Sequence, residues 1–143
     1  MTVQSILKRK GADVVTIKQD AGIESAAHLM RASNIAALVV TNGDQVVGML
    51  ANRDIVDGLS RHGSRLSALR VADLMRLQFV TASPQDGVKH VMALMTRHRA
   101  THIPVFASNR LAGIVSMGDI VKHRLEELEL EANVLRDAYI AVH

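Results

Sequence analysis

Apolar residues change their period several times along the first half of the chain. Val14-Val15-Thr16-Ile17 is a short β-branched run that predicts a strand. Ile23, Ala26, Ala27 and Met30 then recur at steps of three and four, which predicts one buried face of an amphipathic helix. Ala37–Val40 and Val46–Leu50 flank Thr41-Asn42-Gly43-Asp44, and Asn-Gly between two apolar runs is a strong hairpin signal. A second helix is expected from about Asn52. Gly58 to Arg70, with His62, Gly63 and Ser64 at its centre, reads as a loop.

The same order of elements then returns. Phe79-Val80-Thr81 predicts a strand, and Val88, Val91, Met92 and Met95 a helix face. Ile103–Phe106 and Leu111–Val115 around Ala107-Ser108-Asn109-Arg110 predict a hairpin, followed by a helix from about Gly118. Shifting the sequence by 65 lays residues 14–56 over 79–121 without a gap, with ten identities in 43 positions. They include Thr16/Thr81, Gly22/Gly87, Gly48/Gly113 and Asp54/Asp119, and several fall at element ends, where backbone geometry selects the residue. The chain therefore reads as a duplication, repeat 1 over 1–65 and repeat 2 over 66–125, with a helical extension over 126–143. One such unit buries only a modest share of its surface, so the two copies are expected to pack about a pseudo-twofold axis.

Beyond Val121, the residues Leu125, Leu128, Ala132, Leu135 and Tyr139 alternate in steps of three and four, the seam of a helix that buries one narrow stripe. Glu126, Glu127, Glu129 and Glu131 are expected outside it. A helix from Asp119 to Ile140 would be roughly 30 Å long. Two partners fit the seam, the chain's own module by folding back or a second copy, and a homodimer is the expected one.

The 143 residues are 48% hydrophobic and 22% charged with mean hydropathy +0.15, which fits a packed globular core. Aromatics are only 2%, so base-stacking platforms are nearly absent, and 17 basic against 14 acidic residues leave a net charge of only +3. Nucleic acid is not expected as a partner. The absence of cysteine removes thiolate nucleophiles, disulfides and cysteine-based zinc sites. No apolar run is long enough for a membrane span or a secretory leader, so a cytoplasmic location is expected.

A threonine at the end of the first strand, an apolar hairpin, and then Gly113-Ile114-Val115-Ser116-Met117-Gly118-Asp119-Ile120 together resemble the cystathionine-β-synthase (CBS) domain. Two in tandem resemble a CBS pair, or Bateman module, over about residues 3–125, including the lead-in Val71-Ala72-Asp73-Leu74-Met75. The resemblance implies an α+β fold of two pseudo-symmetric β-α-β-β-α repeats with a long C-terminal helix. It also implies a regulatory module that binds adenosine-containing ligands in clefts between the repeats. AMP is the expected ligand, with ADP, ATP, NAD or S-adenosylmethionine as further candidates. Such modules commonly assemble as discs of two.

The residues themselves fit that chemistry. A carboxylate at a helix start, Asp119 or Asp54, can accept from both hydroxyls of a ribose. The N–H groups and dipole of the same helix start suit a phosphate. Ser116 adds a hydroxyl, whereas its counterpart Ala51 does not, and Arg53 is the expected compensation there. Carried over from the family, one site combines Ser116, Met117, Gly118 and Asp119 with Thr16, Ile17, Ala36, Ala37 and Leu38. The other combines Arg53 and Asp54 with Thr81, Ala82, Thr101, His102 and Ile103. An aspartate in the first helical turn is favoured by the dipole without any ligand, so each also has a purely structural explanation.

Catalytic fingerprints are missing: no Gly-x-Ser-x-Gly elbow, P-loop or Gly-x-Gly-x-x-Gly occurs, and no enzyme is expected. His98 and His102 are four apart, but Pro104 takes the chain out of helix there, and no metal site is expected. His28, His62, His90, His123 and His143 are expected at the surface. The module is expected to change shape or partner affinity on binding, with a regulated protein partner that these residues do not identify. The alternative is a ligand-free module that engages protein or nucleic acid.

Overall fold

The computed structural model describes residues 1–142 and divides the chain into two units, Met1–Ala12 together with the chain from Ala82 onward, and Asp13–Thr81.

In the unit Asp13–Thr81, β1 (Thr16–Lys18), α2 (Ile23–Ser33), β2 (Ala37–Asn42), β3 (Gln45–Ala51) and α3 (Asn52–His62) follow the predicted order. β1 runs parallel to β2 and β2 antiparallel to β3, so β2 is the middle strand. The helix face is narrower than predicted, since Ile23, Ala26 and Met30 are buried while Ala27 is exposed. With Ile17, Leu38, Val40, Leu50 and Val71 they form one aliphatic core. Gly43 takes a positive φ of 61° in the hairpin turn, at no steric cost for glycine.

The segment predicted as a loop over Gly58–Arg70 is mostly helical. α3 continues to His62 and a 3₁₀ helix spans Gly63–Ala68. Gly58 does not break α3. It is buried, and a Cβ there would lie 2.6 Å from Leu74 Cδ1, so its missing side chain lets α4 (Val71–Leu74) pack close. The chain then passes over β3 through a two-way backbone bridge, Met49 N–H to Arg76 O at 3.0 Å and Arg76 N–H to Met49 O at 2.8 Å.

The other unit contains α1 (Val3–Lys10), α5 (Val88–His98), β4 (His102–Ala107), β5 (Arg110–Ser116) and α6 (Met117–Val142). α1 is an element the sequence pattern did not predict. It buries Val3, Ile6 and Leu7, and Leu7 fills the space over Gly113, where a Cβ would lie 2.7 Å from its Cδ2.

The strand predicted over Phe79-Val80-Thr81 does not form, and only Ala82 makes an isolated parallel bridge with Val105. Repeat 1 explains the loss. There, Val39 N–H donates to Val15 O at 3.4 Å and Gln19 N–H to Thr41 O at 3.0 Å, holding β1 at both ends. The residues 65 positions on from Val39 and Gln19 are Pro104 and Pro84, which have no N–H to donate.

α6 spans 26 residues, about 39 Å at 1.5 Å per residue. Its buried residues are Ile120 and His123. Leu125, Leu128, Leu135 and Tyr139 are exposed, so the seam is not folded back on its own unit. Two expectations for α6 are corrected. His123 is 5% exposed rather than at the surface. Glu126 and Glu127 are half-buried, paired with Arg9 and Arg124, because this face of α6 packs toward α1. His28 and His90 are exposed, His62 is half-buried, and His143 lies outside the described residues. Among the described residues no helix is long and apolar enough to cross a membrane.

Candidate functional site

In both units the last hairpin strand runs directly into a helix, and an aspartate occupies the third helical position. Asp119 Oδ2 accepts from the Ser116 backbone N–H at 2.8 Å, and Ser116 Oγ accepts from the Asp119 N–H at 3.1 Å. This reciprocal box is what Ser-x-x-Asp at a helix start predicts physically. In the other unit only half of it forms. Asp54 Oδ2 accepts from the Ala51 N–H at 2.8 Å, and Ala51 has no hydroxyl to return the bond. Arg76 Nε lies 3.4 Å from the same Asp54 oxygen, an ion pair without hydrogen-bond alignment.

Strand register sets the neighbours of each junction. In one unit His102 pairs with Ser116 and Ile103 with Val115, while Met117 N–H donates to Thr101 O at 2.8 Å. Thr101, His102 and Ile103 thus sit beside Ser116, Met117, Gly118 and Asp119. In the other, Ala37 pairs with Ala51 and Leu38 with Leu50, while Asn52 N–H donates to Ala36 O at 2.9 Å. Ala36, Ala37 and Leu38 thus sit beside Arg53 and Asp54. Thr16 and Ile17 lie opposite Val39 and Val40. Ile17, Ala37, Leu38, Ala82 and Ile103 are buried, so backbone is what these positions can offer. Thr16, Thr81, Thr101, Met117 and Gly118 are exposed, and Ala36, Asp54, His102, Ser116 and Asp119 are half-buried.

Lys10 is a site residue that the sequence reading missed. Its ammonium donates to Asp119 Oδ2 at 2.7 Å and to Ile114 O at 2.9 Å. The run Lys8-Arg9-Lys10 was the available signal, but nothing local tied it to Asp119. Burial works to raise the Asp119 pKa. Lys10 and the Ser116 bonds outweigh it and hold the carboxyl below the usual aspartate range. His102, whose Nδ1 lies 2.9 Å from Thr101 Oγ1, is pushed below the ordinary histidine value by burial, with Lys10 adding to the effect and Asp119 opposing it.

Those directions give a pH dependence. A histidine whose folded pKa is depressed favours the neutral ring, so its contribution is complete above about pH 6.5 and is lost as pH falls below that. Asp119 contributes above the aspartate range and loses its share only as strong acid protonates it. Urea unfolding at pH 7.5 and 5.5 should therefore show lower stability at 5.5, and His102→Asn should shrink that difference. An identical difference in the variant would remove His102 from the explanation.

The sequence model of the CBS domain matches this chain twice, over residues 3–61 and 71–126. The chain belongs to the CBS-domain family. A relative is the mitochondrial CBS-domain-containing protein CBSX3 of Arabidopsis thaliana, 30% identical over 97% of this chain and 71% of its own. Among solved structures, the CBS-domain protein ATU1752 of Agrobacterium tumefaciens is 38% identical, with TM-score 0.84 over 86% of this chain and 92% of that one. The CBS domain pair of protein MJ0100, crystallised with 5′-methylthioadenosine and S-adenosyl-L-methionine, shares the fold at TM-score 0.78 and 23% identity, over 89% of this chain and 98% of that one. This CBS chain thus carries the tandem α+β repeats and the long C-terminal helix expected of it.

Proposed function

We propose that this CBS pair is a regulatory, non-catalytic module that binds adenosine nucleotides. The Ser116–Asp119 junction carries the proposal. The bonds named above fall on Asp119 Oδ2, so Oδ1 is the oxygen offered to ribose hydroxyls. Ser116 Oγ accepts from the Asp119 N–H, yet its own proton stays available for a phosphate oxygen. The start of α6, the longest helix, adds its positive dipole end. The adenosine ligands of MJ0100 support the ligand class. AMP is the smallest nucleotide that offers a group to each of these partners, with ADP, ATP, NAD and S-adenosylmethionine as larger candidates. Thr16, Ile17, Ala36, Ala37, Leu38, Thr81, Ala82, Thr101, His102 and Ile103 supply backbone and edge groups for adenine. A second copy of the chain covers the α6 seam, and the nucleotide signal passes to a separate protein.

Calorimetry with AMP tests the proposal. Asp119→Ala should weaken binding by about 1.5–3 kcal/mol, the range for a hydrogen bond to a charged group. Asp119→Asn, which keeps an acceptor for the Ser116 N–H, checks that the loss is not a fraying helix start. Asp54→Ala should cost less than Asp119→Ala, because the Ala51 junction has no hydroxyl for a phosphate. Equal or reversed losses would show that Arg53 and Arg76 more than replace it. An AMP isotherm indifferent to Asp119 would remove the ribose role. If no adenosine ligand raised the melting temperature, where one at 100 times its Kd adds about 2.7 kcal/mol, the chain would be a ligand-free interaction module.

A further inference from the structure

The unit that holds Asp119 has a second set of polar groups, not used above. α1 and α6 leave a groove of about 140 Å³ between them, with Arg9 and Lys10 on one wall and Asp119, Lys122, His123 and Glu126 on the other. Two ion pairs cross it, Lys10 to Asp119 and Arg9 to Glu126. They neutralise both carboxylates and leave Lys122, which has no ion pair among the described residues, and His123.

His123 is the anomaly. It is 5% exposed, and neither ring nitrogen has a hydrogen-bond partner among the described residues. Glu127 Oε1 lies 3.2 Å from Nε2 but is aligned with Arg124 Nη1 at 3.3 Å instead. A buried donor or acceptor without a partner costs about 1–3 kcal/mol, so such a ring beside an open groove points to a group that enters the groove. The surplus charge is positive, so the entering group is an anion. Lys10 has three ammonium donors, of which Asp119 and Ile114 occupy two. Arg9 is 60% exposed at the groove edge, and its fork has donors beyond those facing Glu126.

We propose that the α1–α6 groove is a phosphoryl subsite that takes the terminal phosphates of a nucleotide di- or triphosphate whose ribose lies on Asp119. The ribose placement rests on the function proposed above, while the groove's own chemistry does not. Asp119 lines the groove, and His123 follows it by one helical turn, about 6 Å of rise. Lys122, His123 and the remaining donors of Lys10 and Arg9 then each meet an oxygen of one tetrahedral anion. A metal is a poorer occupant, because no group of three ligating side chains occurs among the described residues.

The test is calorimetry of the intact chain with AMP, ADP, ATP and inorganic tripolyphosphate. ATP or ADP should bind at least tenfold more tightly than AMP. Lys122→Met should bring that ratio close to one, and Lys122→Arg should restore most of it. ADP and ATP binding no more tightly than AMP, with Asp119-dependent AMP binding intact, would overturn the subsite and leave the nucleotide site standing. Tripolyphosphate bound through Lys122 without any nucleotide binding would overturn the nucleotide site and make the groove a site for free polyphosphate. A ratio unchanged by Lys122→Met would overturn the subsite, as would failure of all four probes to bind.

Discussion

Leu128→Glu combined with Leu135→Glu is expected to turn a dimer into a monomer while leaving the unfolding of the module itself almost unchanged. Leu125, Leu128 and Leu135 are 56%, 51% and 71% exposed, so their own unit does not cover the stripe. Residues 128–142 are all exposed, and a helix with no cover is marginal in water. A second copy laid along the seam would supply the cover and bury the stripe. Two carboxylates per chain in that apolar contact would cost several kcal/mol, more than a short two-helix interface supplies. In the isolated chain the same substitutions are surface changes, within about 0.5 kcal/mol. Light scattering of both proteins at micromolar concentration decides the matter, and thermal unfolding checks that the variant is folded. A monomeric wild type, or a double variant that remains dimeric, would show that α6 is not the contact.

The second large effect is expected at Gly48. A Cβ there would stand 2.9 Å from the carbonyl oxygen of Arg76 and 3.0 Å from Met75 Sδ. That carbonyl already accepts from Met49 N–H, so it cannot retreat without breaking the bridge to β3. Gly48→Val should destabilise the chain by roughly 3 kcal/mol, the upper part of the overpacking range, and lower the melting temperature by about 6–12 °C. Gly113→Ala is the control. Its new methyl would meet the flexible end of Leu7 rather than backbone, so it should cost clearly less. Similar losses at both positions would mean that the Met75–Arg76 segment can move aside.

What the sequence disclosed was what depends on near neighbours. Both hairpins, both strand-to-helix junctions and both aspartates follow from runs and spacings within about ten residues, and the duplication strengthened each by repetition. What it hid depends on residues far away. Gly58 looks like a helix breaker until Leu74 is seen packed against it. The missing strand at Phe79–Thr81 was written in Pro84 and Pro104, but only beside the hydrogen bonds of Gln19 and Val39 does their effect become visible. Lys10 and the burial of His123 both follow from α1 packing against α6, elements from opposite ends of the chain. Asp54 and Asp119 show the reverse problem. Their helix-capping bonds are present in the structure, and only ligand measurements separate that task from ribose binding.

The division of the chain has a consequence for its synthesis. Asp13–Thr81 is continuous, so everything it packs internally has left the ribosome once Thr81 emerges. α1 is made before the rest of its own unit and waits for Gly113 and the start of α6 before Leu7 and Lys10 find their places. At about 5–20 residues per second that wait is roughly 5–20 s. Through it Val3, Ile6 and Leu7 travel as an unburied apolar stripe on the nascent chain, open to whichever chaperone reaches it first.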